Sequence, residues 1–218
     1  MDIQERLTAF AMLGAGWVMW FLVGLSVIGL AVILERAWAL ISSRDDMPTL
    51  RADLAKHLEE DDVPGAIKRL QASPSFEAGI VREGLAAVGQ GPHVVEQRLD
   101  AARGIAQSRM QRNLAFLGTV GNNAPFVGLL GTVIGVIRAF HTLEQSAGQV
   151  SNGLMAEVGE ALVATAIGLL VALPAVAAFN LFMRTVKVRL SWADALGHDV
   201  RAHAELHGQR APSGAKES

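Results

Sequence analysis

The 218-residue sequence contains no cysteine, which excludes disulfides, thiolate metal sites and cysteine nucleophiles. It is also poor in charge. Asp, Glu, Lys and Arg make up 18% of it, against about 25% in an ordinary globular protein. Net charge is −2 and no basic run occurs, so nucleic acid is not an expected partner. No β-type alternation and no internal repeat are present. The charge that exists is unevenly placed: the stretches 7–34, 113–137 and 161–183 carry none at all.

Apolar residues, 51% of the chain, concentrate in those three stretches. A helix needs roughly 20 apolar residues to cross about 30 Å of hydrocarbon at 1.5 Å per residue. Each stretch is long enough, which predicts an all-α membrane protein with three transmembrane helices. A cleaved signal peptide is the alternative for the first. Its start is mixed in charge (Asp2, Glu5, Arg6), its apolar run is too long, and Glu35-Arg36 follows directly, so an uncleaved span is expected.

Basic residues near the span ends set orientation. Arg36, Arg44 and Arg51 follow the first span, Arg103, Arg109 and Arg112 precede the second, and Arg184, Lys187 and Arg189 follow the third. The connection 141–157 contains no Lys or Arg, and Arg138 at its border is long enough to snorkel. The N-terminus is therefore expected outside and the C-terminus inside. The expected divisions are a short outer N-terminus and first span (1–41), an inner helical segment (42–112), the second span (113–140), an outer loop (141–157), the third span (158–184), and an inner helix with a disordered tail (185–218). Within the inner segment, Pro and Gly clusters separate helical patterns at 49–60, 65–71, 76–88 and 93–112. No breaker intervenes between the last of these and the second span, so one long helix is expected there. The third span is expected to run on to about Leu206, with disorder from Gly208.

The spans are unequal. The first is bulky (Trp17, Trp20, Phe21, Leu22, Val27, Ile28), with Trp38 at its inner end, as suits a lipid-facing helix. The second carries Gly121, Gly128, Gly131 and Gly135; the third has a matching stripe of Ala161, Ala164, Thr165, Gly168, Ala172 and Ala175. Small residues let membrane helices approach closely, and packing alone accounts for such stripes. It does not account for the polar residues: Asn122, Asn123 and Thr132 in one helix, Glu160 and Thr165 in the other. Unsatisfied polar groups in hydrocarbon cost several kcal/mol each, roughly, so these must face protein or a wet lumen. Pro125 and Pro174 each free a backbone carbonyl one turn back. Small, hydroxylated, kinked helices suit the wall of a narrow aqueous path.

Glu160 has two readings of equal weight: an intramembrane functional acid, or a first-turn acid of a helix capped by Ser151 or Asn152, with Glu157 alongside. Thr165 lies about 140° around the helix from it. Neither threonine can carry a proton by ionising; each can relay or position water through its hydroxyl. A chain with so little titratable chemistry in the membrane is expected to borrow its proton-carrying group from a partner.

The segment Asn123-Ala124-Pro125-Phe126-Val127-Gly128-Leu129-Leu130-Gly131-Thr132-Val133, followed by Gly159-Glu160-Ala161-Leu162-Val163-Ala164-Thr165-Ala166-Ile167-Gly168-Leu169 and Leu173-Pro174-Ala175-Val176, resembles the signature of the MotA/TolQ/ExbB proton-channel family, in its ExbB/TolQ-like branch. The resemblance implies a homopentameric ring with long helical cytoplasmic extensions in a bacterial inner membrane, N-terminus periplasmic and C-terminus cytoplasmic. The ring would surround a dimer of a single-span ExbD/TolR/MotB-type partner carrying a membrane Asp. It implies that Thr132 and Thr165 line the lumen, that Glu160 lies near the outer mouth, and that Gly128, Gly131, Gly135, Gly168, Pro125 and Pro174 set packing and kinks. The implied function is a stator subunit driven by the proton gradient, passing force through a TonB/TolA-type protein to the outer membrane or envelope. A gliding-motility motor, with a gliding-machinery protein as the further partner, is the alternative.

A scaffold without an ion path is the rival from another class. An enzyme is not expected: there is no His/Glu metal spacing, no nucleophile with a base, and no Walker lysine after the glycines. No cofactor and no metal are expected. Of His198, His203 and His207 only the last two share a helix face, and solvated tail histidines are the expected reading.

Overall fold

A computed structural model describes residues 14–145 and 152–210. The N-terminal 13 residues, Ser151 as a helix cap, and the tail from 211 lie outside the described residues. Seven helices account for the rest: α1 (Gly16–Ser42), α2 (Met47–Glu59), α3 (Val63–Gln71), α4 (Phe76–Leu85), α5 (Pro92–Met110), α6 (Leu114–Gln145) and α7 (Asn152–Arg210), with a short 3-10 turn at Val88–Gln90. Helices α1, α6 and α7 are each long and apolar enough to cross a membrane. The chain divides into two units, residues 1–35 with 113–181 and residues 36–112 with 182–218.

In the first unit, Ala15 just ahead of α1 and Val18 and Leu22 of α1 pack with Val120, Ala124 and Ile134 of α6 and Val171, Ala172 and Ala175 of α7. Trp20, Val27, Leu30 and Leu34 of α1 are exposed, as a lipid-facing surface requires. Leu22 departs from the sequence reading: it is fully buried, because with Val18 it lies on the face turned to α6 and α7. Phe126, Phe140, Leu170 and Leu173 leave much of α6 and α7 apolar and exposed too. The ends of these helices also run further than the expected loop, α6 to Gln145 and α7 from Asn152.

The second unit is built mostly from shorter helices. Pro48, Pro64 and Pro92 stand in the first turns of α2, α3 and α5, where a missing N–H costs nothing. Ser75 Oγ accepts the Ala78 N–H at 3.1 Å to cap α4. Asp62 accepts the Gly65 N–H at 3.0 Å to cap α3. That hydrogen bond to its charged form, with a smaller contribution from His57, holds the Asp62 carboxyl below the ordinary carboxylate range. The core collects Leu50, Leu54, Leu70, Val81, Leu85, Val95, Val186, Leu190 and Leu196. Leu99 of α5 fits between two glycines, Gly84 of α4 and Gly197 of α7.

One buried ion pair sits in this core. Arg189 of α7 donates to both Glu77 oxygens at 2.8 and 2.7 Å, to Ser43 Oγ at 2.8 Å, and to the carbonyls of Ser43 and Leu40 at 2.6 and 3.2 Å. Its guanidinium also lies 5.2 Å from the Phe76 ring centroid.

Two expectations for this unit need correction. The helix leading to the second span is not continuous: α5 ends at Met110, and α6 starts at Leu114 after a turn. Asn113 takes φ 61° there, a left-handed conformation that Asn adopts more readily than other side-chain-bearing residues. The tail histidines are not uniformly solvated either. His198 is exposed, but His203 is buried, because the C-terminal part of α7 packs on the unit instead of standing free.

Candidate functional site

Small residues bring α6 and α7 into contact at backbone level. A Cβ added to Gly128 would stand 2.9 Å from the Ala164 carbonyl and 3.0 Å from the Thr165 Cα. One added to Gly168 would stand 2.7 Å from the Ala124 carbonyl and 3.0 Å from the Gly128 Cα. Gly131 faces Ala164 and Val18, Gly135 faces Ala161, and Gly121 faces Val176. Pro125 and Pro174 both lie inside these helices. Their missing N–H groups leave the carbonyls of Gly121 and Leu170 without the usual intrahelical donor.

Beside this contact the structure brings Thr132 and Thr165 together. Their hydroxyls are hydrogen-bonded to each other, and both are partly buried. Thr165 Oγ1 is 3.1 Å and Thr132 Oγ1 3.3 Å from the same acceptor, the Gly128 carbonyl oxygen. Each hydroxyl has one proton to donate, so one threonine donates to its partner while the partner donates to Gly128. Reversing both bonds gives the mirror arrangement with the same heavy atoms. The circuit can pass or orient a proton, but it contains no ionisable group.

Glu160 is set apart. It is half-buried against the start of α1, where a Cβ on Gly16 would lie 3.5 Å from its Oε1. Among the described residues no hydrogen bond joins it to the threonine pair. The acid with charged company is Glu157, whose Oε1 lies 3.5 Å from Arg138 and which accepts a hydrogen bond from Thr142 at 3.3 Å. Sequence reasoning missed this pairing. The available signal was that Arg138 is the one basic residue bordering 141–157, with Glu157 closing that stretch. Asn122 and Asn123 are exposed, Asn123 donating to the Thr119 carbonyl at 2.8 Å.

These features fall within a longer match. Residues 72–194, more than half of the chain, match the MotA/TolQ/ExbB proton channel family. The chain belongs to that family. Within it, the chain is 44% identical over 103 residues to the biopolymer transport protein ExbB of Neisseria gonorrhoeae, which covers 47% of this chain and 46% of that one. It is 40% identical over 106 residues to ExbB of Xanthomonas campestris pv. campestris (strain B100), covering 49% and 42%. With the Tol-Pal system protein TolQ of Pseudomonas aeruginosa the identity is 35% over 114 residues, covering 52% and 45%. The chain thus spans about half the length of the curated relatives it matches. All three relatives support the ExbB/TolQ-like branch for this MotA/TolQ/ExbB member.

Proposed function

We propose that this protein is an ion-conducting subunit of ExbB/TolQ type, a transport protein of the bacterial inner membrane that is not an enzyme. In this reading it forms a pentameric ring around a dimer of a single-span ExbD/TolR-type protein. The partner's membrane Asp titrates as protons cross, and the threonine pair passes or positions them. Proton flow turns the partner dimer within the ring and so transmits force to the envelope. Each charge yields about 2.3 kcal/mol per 100 mV crossed, which is enough to drive such a cycle with a few protons. The reading orients the N-terminus and the Arg138–Glu157 end outward and the second unit inward, as the distribution of basic residues favours.

The observation that carries the proposal is the hydroxyl circuit of Thr132, Thr165 and the Gly128 carbonyl, lying between two glycine-lined helices of a proton-channel family member. A pure scaffold would need only the close packing. The two readings separate in liposomes holding the chain with its single-span partner and an internal pH-sensitive dye. Thr132→Val and Thr165→Val should each abolish partner-dependent proton flux while the complex still elutes intact. Thr165→Ser, which keeps a hydroxyl, should retain flux. Normal flux in both valine variants would sink the conduction role of the pair and favour the scaffold. The power recipient, whether a transport, Tol-Pal or gliding system, follows from which partner co-purifies.

A further inference from the structure

The turn between α2 and α3 meets the end of α7 through three metal-capable side chains. Asp61, at φ 59°, extends its carboxylate toward His203 and His207, which stand one helical turn apart on one face of α7. Asp61 Oδ1 lies 2.7 Å from His207 Nε2 and 3.5 Å from His203 Nε2. All three ligand atoms fall within 4.8 Å of one another. The neighbouring carboxylate does not join them. Asp62 is turned to His57 Nδ1 and the Gly65 N–H, each 3.0 Å away.

The second nitrogen of His207 decides what this cluster needs. His207 Nδ1 lies 3.2 Å from the His203 carbonyl, which can only accept, so Nδ1 carries the proton. In a neutral imidazole Nε2 is then a lone pair, and it points at a carboxylate oxygen 2.7 Å away. Two lone-pair donors face each other at contact distance only with a cation between them. A proton would serve that single contact. A divalent ion would also take up His203 Nε2, which approaches the same oxygen. Bonds of about 2.0–2.1 Å to tetrahedral zinc put neighbouring ligand atoms roughly 3.3 Å apart, between the two distances found here. The Nδ1–carbonyl hydrogen bond is also the outer contact that orients metal-binding histidines.

We propose that Asp61, His203 and His207 form a binding site for a borderline divalent transition ion of the zinc class, with water completing a four-coordinate shell. Imidazole nitrogens with one carboxylate favour such ions over magnesium or calcium. The ion fastens the α2–α3 turn to the end of α7.

The test uses the full-length chain in detergent, purified on a tag without histidines and stripped with chelator, with Zn2+ alone titrated by calorimetry. The expected result is one Zn2+ per chain and a raised melting temperature. Asp61→Asn and His207→Gln should each weaken binding by about tenfold or more, and His198→Gln should not. Asn tolerates the left-handed backbone at position 61, so Asp61→Asn stays informative even if a change at buried His203 disturbs folding. Co2+ in place of Zn2+ should give the visible absorption of a tetrahedral site in the unaltered chain and lose it in Asp61→Asn. Zinc binding that is absent, or unchanged in both variants, would overturn the proposal and leave a protonated His207 paired with Asp61. None of these readouts involves proton flux, so failure here is separate from failure of the conduction reading.

Discussion

The two units are held together by different means. In the first, an apolar core around Val18, Leu22 and Ile134 is joined by direct contact between backbones. Gly128 and Gly168 bring α6 and α7 so close that no Cβ fits at either position. Among the described residues its charged contact gathers at Arg138 and Glu157. In the second, leucine and valine fill a core, and ion pairs tie distant segments of the chain: Arg189 to Glu77 inside, Arg103 to Asp194 and Arg51 to Asp199 on the surface. The contrast follows from the solvents that the family's architecture implies. Lipid tails are as apolar as leucine, so burying leucine between membrane helices gains little and close packing must substitute. Where water is the solvent, apolar burial drives assembly and charges must be paired once covered.

The largest expected effect tests the wet half of that comparison. Glu77→Gln leaves Arg189 buried beside a neutral amide and should cost about 3–5 kcal/mol, as removing one partner of a buried pair does. The double change Glu77→Leu with Arg189→Met should recover part of that loss, because the apolar pair needs no partner while the Ser43 and Leu40 carbonyls lose their donor. Hydrogen exchange in the full-length chain should show lost protection in α4 for the single variant and its partial return in the double. If the double variant is as unstable as the single one, the pair supplies more than mutual neutralisation.

The next effect tests the close-packed half. Gly168→Ala sets a methyl group against the Ala124 carbonyl and Gly128 Cα, backbone atoms that cannot rotate away. Overpacking of this kind costs about 1–3 kcal/mol and forces α6 and α7 apart, which would also break the Thr132–Thr165 circuit. Gly29→Ala in α1, where a Cβ meets nothing within 4 Å, should leave melting in detergent unchanged. Equal melting temperatures for the two variants would remove the backbone contact as the basis of the first unit.

How much of this was legible in the sequence depended on whether the signal was local. Charge-free stretches, proline at helix starts and the glycine spacing in α6 are local, and they foretold an all-helical chain with three membrane-length helices. The family signature is also local, running through the residues that form the threonine circuit. Pairings between distant residues left no such mark. Glu77 and Arg189 are 112 positions apart, and nothing in either neighbourhood distinguishes them from surface charges. The same holds for Asp61 with His203 and His207: the histidine spacing was visible, while the turn that reaches them was not. Arg138 and Glu157 were each noticed, but their union required knowing that α6 and α7 lie side by side.

The break between α5 and α6 is the instructive failure, and it yields the smallest predicted effect. Apolar periodicity ran on through 93–112 toward the second span, and no Gly or Pro stands at the junction from 105 to 117, so a continuous helix was the natural expectation. The breaker is Asn113, which adopts φ 61° after the Gln111 cap. Asn ends helices in this way less often than Gly, and its side chain gives no other sign. Asn113→Gly should therefore be neutral, since glycine enters the left-handed region freely. Asn113→Ala should cost about 1 kcal/mol, because alanine lacks the amide whose local hydrogen bonding eases that conformation and its propensity favours continuing the helix. A melting shift of a few degrees in the alanine variant only, with altered exchange confined to residues near 113, is the expected result. If alanine and glycine behave alike, the left-handed residue is not what separates α5 from α6.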